Sequence, residues 1–222
     1  MNTGRAVQQA EQKGGKRCVM IGGAGITKYD RIRSAIREED FLIFCDSGLR
    51  HRQALGVKPQ LIVGDFDSHE NPLESVETIV LPTEKDDTDT VFAMKTAWER
   101  GFRNYLLIGV AGERLDHTLG NLSMLLWLQA RGGIATLMDD YSEMEIVSEK
   151  PCLIDDSYSF FSLLNISGTA RGITIRDAKY PLEDAEITCE YQYGISNEVL
   201  PGHTASVRVE DGLLLLIRDS VG

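Results

Sequence analysis

Pro59-Gln60-Leu61-Ile62-Val63-Gly64-Asp65-Phe66-Asp67-Ser68 is the stretch whose reading decides the fold. Leu61-Ile62-Val63 is wholly apolar, too short for a helix, and stops at Gly64, after which Asp65 and Asp67 stand two residues apart. A strand buried on both faces of a parallel sheet reads this way, as a continuous apolar run bounded by turn residues. In such sheets ligands collect beyond the carboxyl ends of the strands, so the residues after each apolar run carry the functional information.

The same grammar recurs on both sides of this stretch. Cys18 to Ile21 precedes Gly22-Gly23-Ala24-Gly25, and Phe41 to Phe44 precedes Cys45-Asp46-Ser47-Gly48. Thr78 to Leu81 leads through Pro82-Thr83 to Lys85-Asp86-Asp87-Thr88-Asp89, and Tyr105 to Ile108 leads to Gly109 through Gly112, then Arg114, Asp116 and His117. Ile134 to Met138 is a sixth run. Asp30 to Glu38, Leu49 to Leu55, Thr88 to Arg100 and His117 to Arg131 are predicted helices, the last two carrying apolar residues at helical spacing. The pattern predicts an α/β domain over residues 17–150, a mostly parallel Rossmann-like sheet with helices on both faces. After Pro151 helical periodicity fades and β-branched residues alternate with turn signals such as Ser167-Gly168 and Asp211-Gly212. Residues 151–222 therefore read as a small all-β sandwich, with strands at Tyr158 to Leu164, Gly172 to Ile175, Glu186 to Cys189, Ala205 to Val209 and Leu213 to Ile217. Residues 1–16 read as a flexible tail.

Composition narrows the function classes. The 222 residues carry 34 acidic against 23 basic side chains, a net charge of -11, which would repel nucleic-acid backbones and anionic membranes. The four cysteines form no C-x-x-C pair, and no apolar run suits a signal peptide or a membrane span. A cytoplasmic protein with no nucleic-acid or membrane partner is expected.

The Gly22 to Gly25 loop does not complete G-x-G-x-x-G, because Lys28 stands where the third glycine belongs, and the lone Gly15-Lys16 pair is followed by Arg17, which excludes a Walker A loop. The carboxylates say more. Asp65 and Asp67 can point to one ligand, and Mg²⁺ takes one or two carboxylates completed by phosphate oxygens and water; Asp67-Ser68 also reads as a helix cap or Asx-turn. Asp86, Asp87 and Asp89 crowd a helix start, where they complement the dipole, but three carboxylates with Lys85 exceed what capping needs. Arg114 can grip phosphate through its fork, while Asp116-His117 alone is an ordinary helix cap. His51, His69 and His203 show no metal spacing and read as surface or loop residues. In the β-rich half, Tyr180 and Gly194-Ile195-Ser196-Asn197-Glu198 can close over an organic substrate.

Together these blocks resemble the thiamine pyrophosphokinase family from about Val19 to Ile217. The resemblance rests on Cys45-Asp46-Ser47-Gly48, the 59–68 stretch, Lys85 to Asp89, Gly112-Glu113-Arg114-Leu115-Asp116-His117 with Asn121, and Ile195-Ser196-Asn197-Glu198. It implies transfer of the pyrophosphoryl group of ATP to thiamine in a homodimer whose thiamine pockets lie between subunits. Mg²⁺ is expected near Asp46, Asp65, Asp67 and Asp89, and ATP near Arg114 and Asp116. Thiamine is expected near Ser196 and Asn197, while Ser68, Thr88 and Asn121 complete the binding set. Asp65, Asp67, Asp89, Lys85 and Arg114 form the expected catalytic group. The chain departs from the family's common Gly-Gly-Arg at Glu113 and from Asp-Gly-Gly at Ser47. A pyrophosphokinase acting on a pterin alcohol, or a regulatory protein that binds nucleotide or thiamine with weak catalysis, stays open as an alternative.

Overall fold

Strands of four or five apolar residues cannot satisfy their own backbone, so they pair, and here they pair in parallel, with helices among the described residues returning the chain between most of them. The computed structural model describes residues 16–66 and 75–220. The fold is mixed α/β, and its backbone parts into two units between Asp140 and Tyr141.

The first unit runs β1 (Arg17–Ile21), α1 (Tyr29–Ala35), β2 (Phe41–Cys45), a 3₁₀ turn (Asp46–His51) continuing into α2 (Arg52–Leu55), β3 (Leu61–Gly64), β4 (Glu77–Val80), α3 (Asp89–Glu99), β5 (Asn104–Ile108), α4 (Leu115–Gln129) and β6 (Ile134–Met138). Its strands lie in the order β6-β5-β1-β2-β3-β4, every neighbouring pair parallel. Val19 and Ile21 share an apolar cluster with Ile32 of α1 and Leu55 of α2, while α3, which buries Ala93, Met94 and Ala97, packs on β1, β2 and β3. Burial of each large side chain of this kind contributes roughly 1.5–3 kcal/mol. The segment expected to be helical from Leu49 begins instead as the tighter 3₁₀ turn.

The order in which strands are added reverses between the parallel neighbours β1 and β5, and at that point the two strand ends are stitched together. The Gly22 amide donates to the Ile108 carbonyl and the Ala24 amide to the Gly109 carbonyl, each at 2.8 Å. Gly109 has φ +63°, and a Cβ there would lie 2.5 Å from the Gly22 carbonyl oxygen, so only glycine fits.

The second unit, from Tyr141, contains β7 (Ser142–Val147), β8 (Cys152–Asp155), β9 (Phe160–Asn165), β10 (Thr169–Arg176), β11 (Leu182–Thr188), β12 (Gly194–Asn197), β13 (Thr204–Arg208) and β14 (Leu214–Asp219). Antiparallel pairing gives the strand orders β12-β9-β14-β7 and β11-β10-β13-β8. Phe161, Leu163, Leu214 and Leu216 from the first set share one core with Ile154, Ile173, Ile187 and Val207 from the second. The backbone parts one strand before the compositional change at Pro151, because β7 pairs with β14 along its whole length. Ser142-Glu143-Met144-Glu145 gave no strand signal, since two glutamates are unfavourable in a buried sheet. Arg218 of β14 resolves this: 8% exposed, it lies 2.8 Å from Glu145 and 3.8 Å from Glu143. Burial opposes its charge, but the two carboxylates outweigh that and hold it protonated. β8 and β12 were likewise not expected as strands.

Gly109→Ala is expected to cost about 2–5 kcal/mol in urea unfolding through left-handed strain and the backbone clash. Gly120→Ala, in the middle of α4 with nothing near its added methyl, should instead stabilise by about 0.5–1 kcal/mol. Equal effects from the two changes would refute the stitch.

Candidate active site

A cleft of ≈ 750 Å³ opens in the first unit beyond the carboxyl ends of its strands. Five loops line it, those following β1, β2, β3, β4 and β5, and they contribute Asp46, Arg50, Asp65, Lys85, Asp89 and Arg114. A parallel sheet delivers all its strand ends to one rim, which is why residues so distant in sequence meet there.

Three carboxylates converge at the centre. Asp46 opens the 3₁₀ turn after β2 with φ 41°, Asp65 directly follows β3, and Asp89 is the first residue of α3. One carboxylate oxygen from each lies within 4.8 Å of the others. The Lys85 ammonium sits among them, hydrogen-bonded to Asp65 and 3.0 Å from Asp89 Oδ1. Burial works against the lysine's charge, but its contacts with Asp65 and Asp89 prevail and raise its pKa. Asp89 is pushed up chiefly by burial; Lys85 pulls the other way more strongly than either Asp65 or Asp46 pushes, but burial prevails. Its Oδ1 is buried without a hydrogen bond of good geometry. One ammonium against three carboxylates leaves a net negative site made of hard oxygen donors. That donor set fits a divalent cation such as Mg²⁺, whose oxygen ligands at about 2.1 Å lie roughly 3–4 Å from one another, so a small contraction suffices.

The remaining expected residues divide by location. Asp87 is tied to Lys95 at 2.7 and 2.9 Å, and the Thr88 hydroxyl caps α3 by accepting from the Val91 amide at 3.3 Å. Both also line the cleft, as do Asp86 and His117. Arg114 holds Asp116 through a fork of 3.2 and 2.5 Å at the exposed start of α4; this contact lowers the Asp116 carboxyl to about 2. Asn121 is buried, its amide donating to the Val110 carbonyl at 2.7 Å and so holding the loop after β5 against α4. Asp67 and Ser68 lie outside the described residues, as does His69.

Ser196 and Asn197 belong to β12 of the second unit. Ser196 is exposed with φ 57°. The Asn197 side chain is buried, accepting from the Tyr180 amide at 3.0 Å and donating to the Tyr180 carbonyl at 2.8 Å. It thereby holds the backbone of Tyr180, whose ring is exposed.

Two cleft-side residues escaped sequence reasoning. His51, expected at the surface, is 2% exposed: its Nε2 donates to the Ala24 carbonyl at 2.9 Å and its Nδ1 accepts from the Tyr29 hydroxyl at 2.8 Å. Burial lowers its pKa, so it is a neutral tie between the 3₁₀ turn and the loop after β1. Arg50 donates to the Gly23 carbonyl beside it and reaches Glu113 at 3.5 Å. A cation on the cleft-side turn after Asp46-Ser47-Gly48 was the available signal.

Addition of Mg²⁺ should raise the unfolding midpoint of the chain at pH 7, and the gain should shrink as pH falls through the folded-state pKa of Asp89, which lies above the ordinary aspartate value of 3.8. The sign follows from Asp89. A carboxyl raised in the folded state favours folding while protonated and loses that contribution as pH rises through its folded pKa, so proton and metal compete for it. Asp89→Asn should abolish most of the Mg²⁺ response; an equal response in thermal melts of both proteins would refute the site.

Two family models match the chain: "Thiamin pyrophosphokinase, catalytic domain" over residues 32–136 and "Thiamin pyrophosphokinase, vitamin B1 binding domain" over residues 151–214. The thiamine pyrophosphokinase of Bacillus subtilis (strain 168) is 27% identical over 191 residues, covering 82% of this chain and 89% of that protein. The crystal structure of a thiamin pyrophosphokinase from Geobacillus thermodenitrificans superposes with TM-score 0.80 at 26% identity, over 93% of this chain and 98% of the other. That of the Bacillus subtilis enzyme gives TM-score 0.82 at 23% identity, over 92% and 99%, and supports the fold. Since the two models account in order for both halves of the sequence, the chain belongs to the thiamin pyrophosphokinase family.

Proposed function

We propose that this chain transfers the pyrophosphoryl group of ATP to the hydroxyethyl oxygen of thiamine, giving thiamine diphosphate and AMP. The observation that carries the chemistry is the meeting of Asp46, Asp65 and Asp89 around the Lys85 ammonium at the ends of a parallel sheet. The family supplies the acceptor. In this reading the first unit, to Asp140, is the Rossmann-like catalytic domain expected over 17–150, and the second, from Tyr141, is the β-sandwich expected over 151–222 that carries the thiamine-binding residues.

The thiamine hydroxyl oxygen attacks the β-phosphorus in line. The bond from that phosphorus to the oxygen bridging to the α-phosphate breaks, the electron pair leaves with AMP, and the hydroxyl proton passes to a base. Asp46, Asp65 and Asp89, with Asp67, would hold Mg²⁺, which when bound supplies neutralisation of charge on the ATP oxygens. Lys85, already among these carboxylates, is placed to neutralise charge developing on the transferred group, and Arg114 to receive phosphate in exchange for Asp116. Asp89 is the candidate base, through the carboxylate oxygen that it would leave off the metal. Ser68 and Thr88 would complete the nucleotide set, with Asn121 holding the loop that presents Arg114 and Asp116. Ser196 and Asn197 would serve the thiamine side, Asn197 through the backbone of Tyr180. The reading includes a homodimer and a cytoplasmic setting. The latter suits four cysteines of which none is in a disulfide, and no helix among the described residues is long and apolar enough to cross a membrane.

Incubation with ATP, Mg²⁺ and thiamine should yield AMP and thiamine diphosphate in equal amounts. Asp65→Asn should lower this turnover by a factor on the order of 10² or more while the protein stays folded. ADP with thiamine monophosphate, or near-normal turnover by the variant, would overturn the reading, as would preference for a pterin alcohol in a competition assay.

A further inference from the structure

The cations of the cleft differ in how firmly the protein already holds them. Lys85 is engaged by Asp65 and Asp89, and Arg114 makes an aligned two-point fork with Asp116. Arg50 is different. Among the described residues its only acidic contact is Glu113 at 3.5 Å, the limit of a hydrogen bond, and both side chains are about half exposed, at 45% and 61%. Its other partners are neutral, the Gly23 carbonyl and, at 3.4 Å from Nε, the His51 ring, so the guanidinium keeps donors that a doubly ionised phosphate would satisfy far better.

Position agrees with this. Arg50 lies on the 3₁₀ turn that Asp46 begins, four residues from a carboxylate of the central cluster, and reaches over the loop after β1. Glu113 comes from the other side of the β1/β5 switch point. It is a non-glycine residue held at φ 45° next to Gly112 at φ 107°, a backbone state that costs on the order of 1 kcal/mol or more and that turns its side chain toward the first loop. A Cβ on Gly25 would lie 2.7 Å from Glu113 Oε1, which shows how closely that carboxylate covers the loop. A carboxylate thus stands beside an arginine at the point of an open α/β sheet where phosphates bind.

We infer that Arg50 is a further phosphate-binding residue of this site, and that Glu113 is an internal competitor which occupies the Arg50 guanidinium until the polyphosphate of the nucleotide displaces it. The inference deepens the reading of the cleft as an ATP site and rests on it. Glu113 then sets nucleotide affinity by a competition within the chain. It weakens binding both by holding Arg50 and by repelling the incoming phosphates, while leaving the metal cluster intact.

The test is calorimetric binding of Mg-ATP and of adenosine to the intact chain and three variants. Arg50→Gln should weaken Mg-ATP about tenfold, the loss expected for one charge-assisted contact, and leave adenosine unchanged. Arg50→Lys, which keeps the charge and loses the fork, should fall between, and it serves if the glutamine variant does not fold. Glu113→Gln should tighten Mg-ATP severalfold and lower KM for ATP with little change in kcat. Unchanged Mg-ATP binding in Arg50→Gln, or an equal loss for adenosine, would reduce Arg50 to a structural tie of the loop and overturn the inference; an unaltered affinity in Glu113→Gln would overturn the competition. Failure of the unaltered chain to bind Mg-ATP would sink both readings. Binding without AMP release in the presence of thiamine would sink only the transfer reading, with the Arg50 comparison still decisive.

Discussion

Like charges cannot be gathered in a half-buried cleft without something to hold them, and the site is organised around that constraint. Asp46, Asp65 and Asp89 approach within a few ångströms while a single ammonium, Lys85, lies between them. The arrangement is tolerable because the sheet and the start of α3 fix the three backbones, and because Lys85 removes part of the repulsion. The residual negative charge is what suits the site to a divalent cation. It also answers a puzzle set by composition, since a chain of net charge -11 has to accept a polyanion. Attraction has to come from cations placed locally, such as Lys85 and Arg114, because the long-range field of the protein opposes a polyanion.

The scaffold that makes such placement possible is the switch point between β1 and β5. Two backbone hydrogen bonds and the close approach of Gly22 and Gly109 hold the two loops together, so that what one loop carries faces what the other carries. Arg50 and Glu113 meet across this seam. Buried His51, neutral and tied to Tyr29 and Ala24, stiffens the turn from which Arg50 projects. A histidine that looked peripheral in sequence is thus part of the support of the cleft, and its role is positional because burial disfavours its charged form.

The second unit solves a different electrostatic problem. Its strand β7 carries Glu143 and Glu145 into a sheet, and one buried arginine from β14 offsets one of the two charges, with the Tyr158 hydroxyl donating to Glu143 at 3.1 Å and the Cys152 thiol to Glu145 at 2.9 Å. Removing either side of such a pair leaves an uncompensated buried charge, so register between β7 and β14 is specified by charge as well as by shape. On the other edge of the same sheet, Asn197 spends its amide on the backbone of Tyr180. A polar residue that reads as a ligand contact can act by fixing the segment that makes the contact.

What the sequence by itself determined is the parallel α/β unit and the identity of the rim residues, because both depend on local pattern. Leu61-Ile62-Val63 has to be a buried strand, and Gly64-Asp65 has to lie at its end, whatever the rest of the chain does. Strands β7, β8 and β12 were not legible in the same way. Glu143 and Glu145 disfavour a strand until Arg218, more than seventy residues later, supplies the opposite charge. The side-chain partners at the rim were equally invisible: that Lys85 sits among three aspartates, that His51 is buried, and that Arg50 faces Glu113. Spacing along a chain shows which residues share a strand end, whereas the distances between ends of different strands are set only when the sheet assembles. Those distances decide whether a carboxylate is a cap, a metal ligand or a competitor for phosphate.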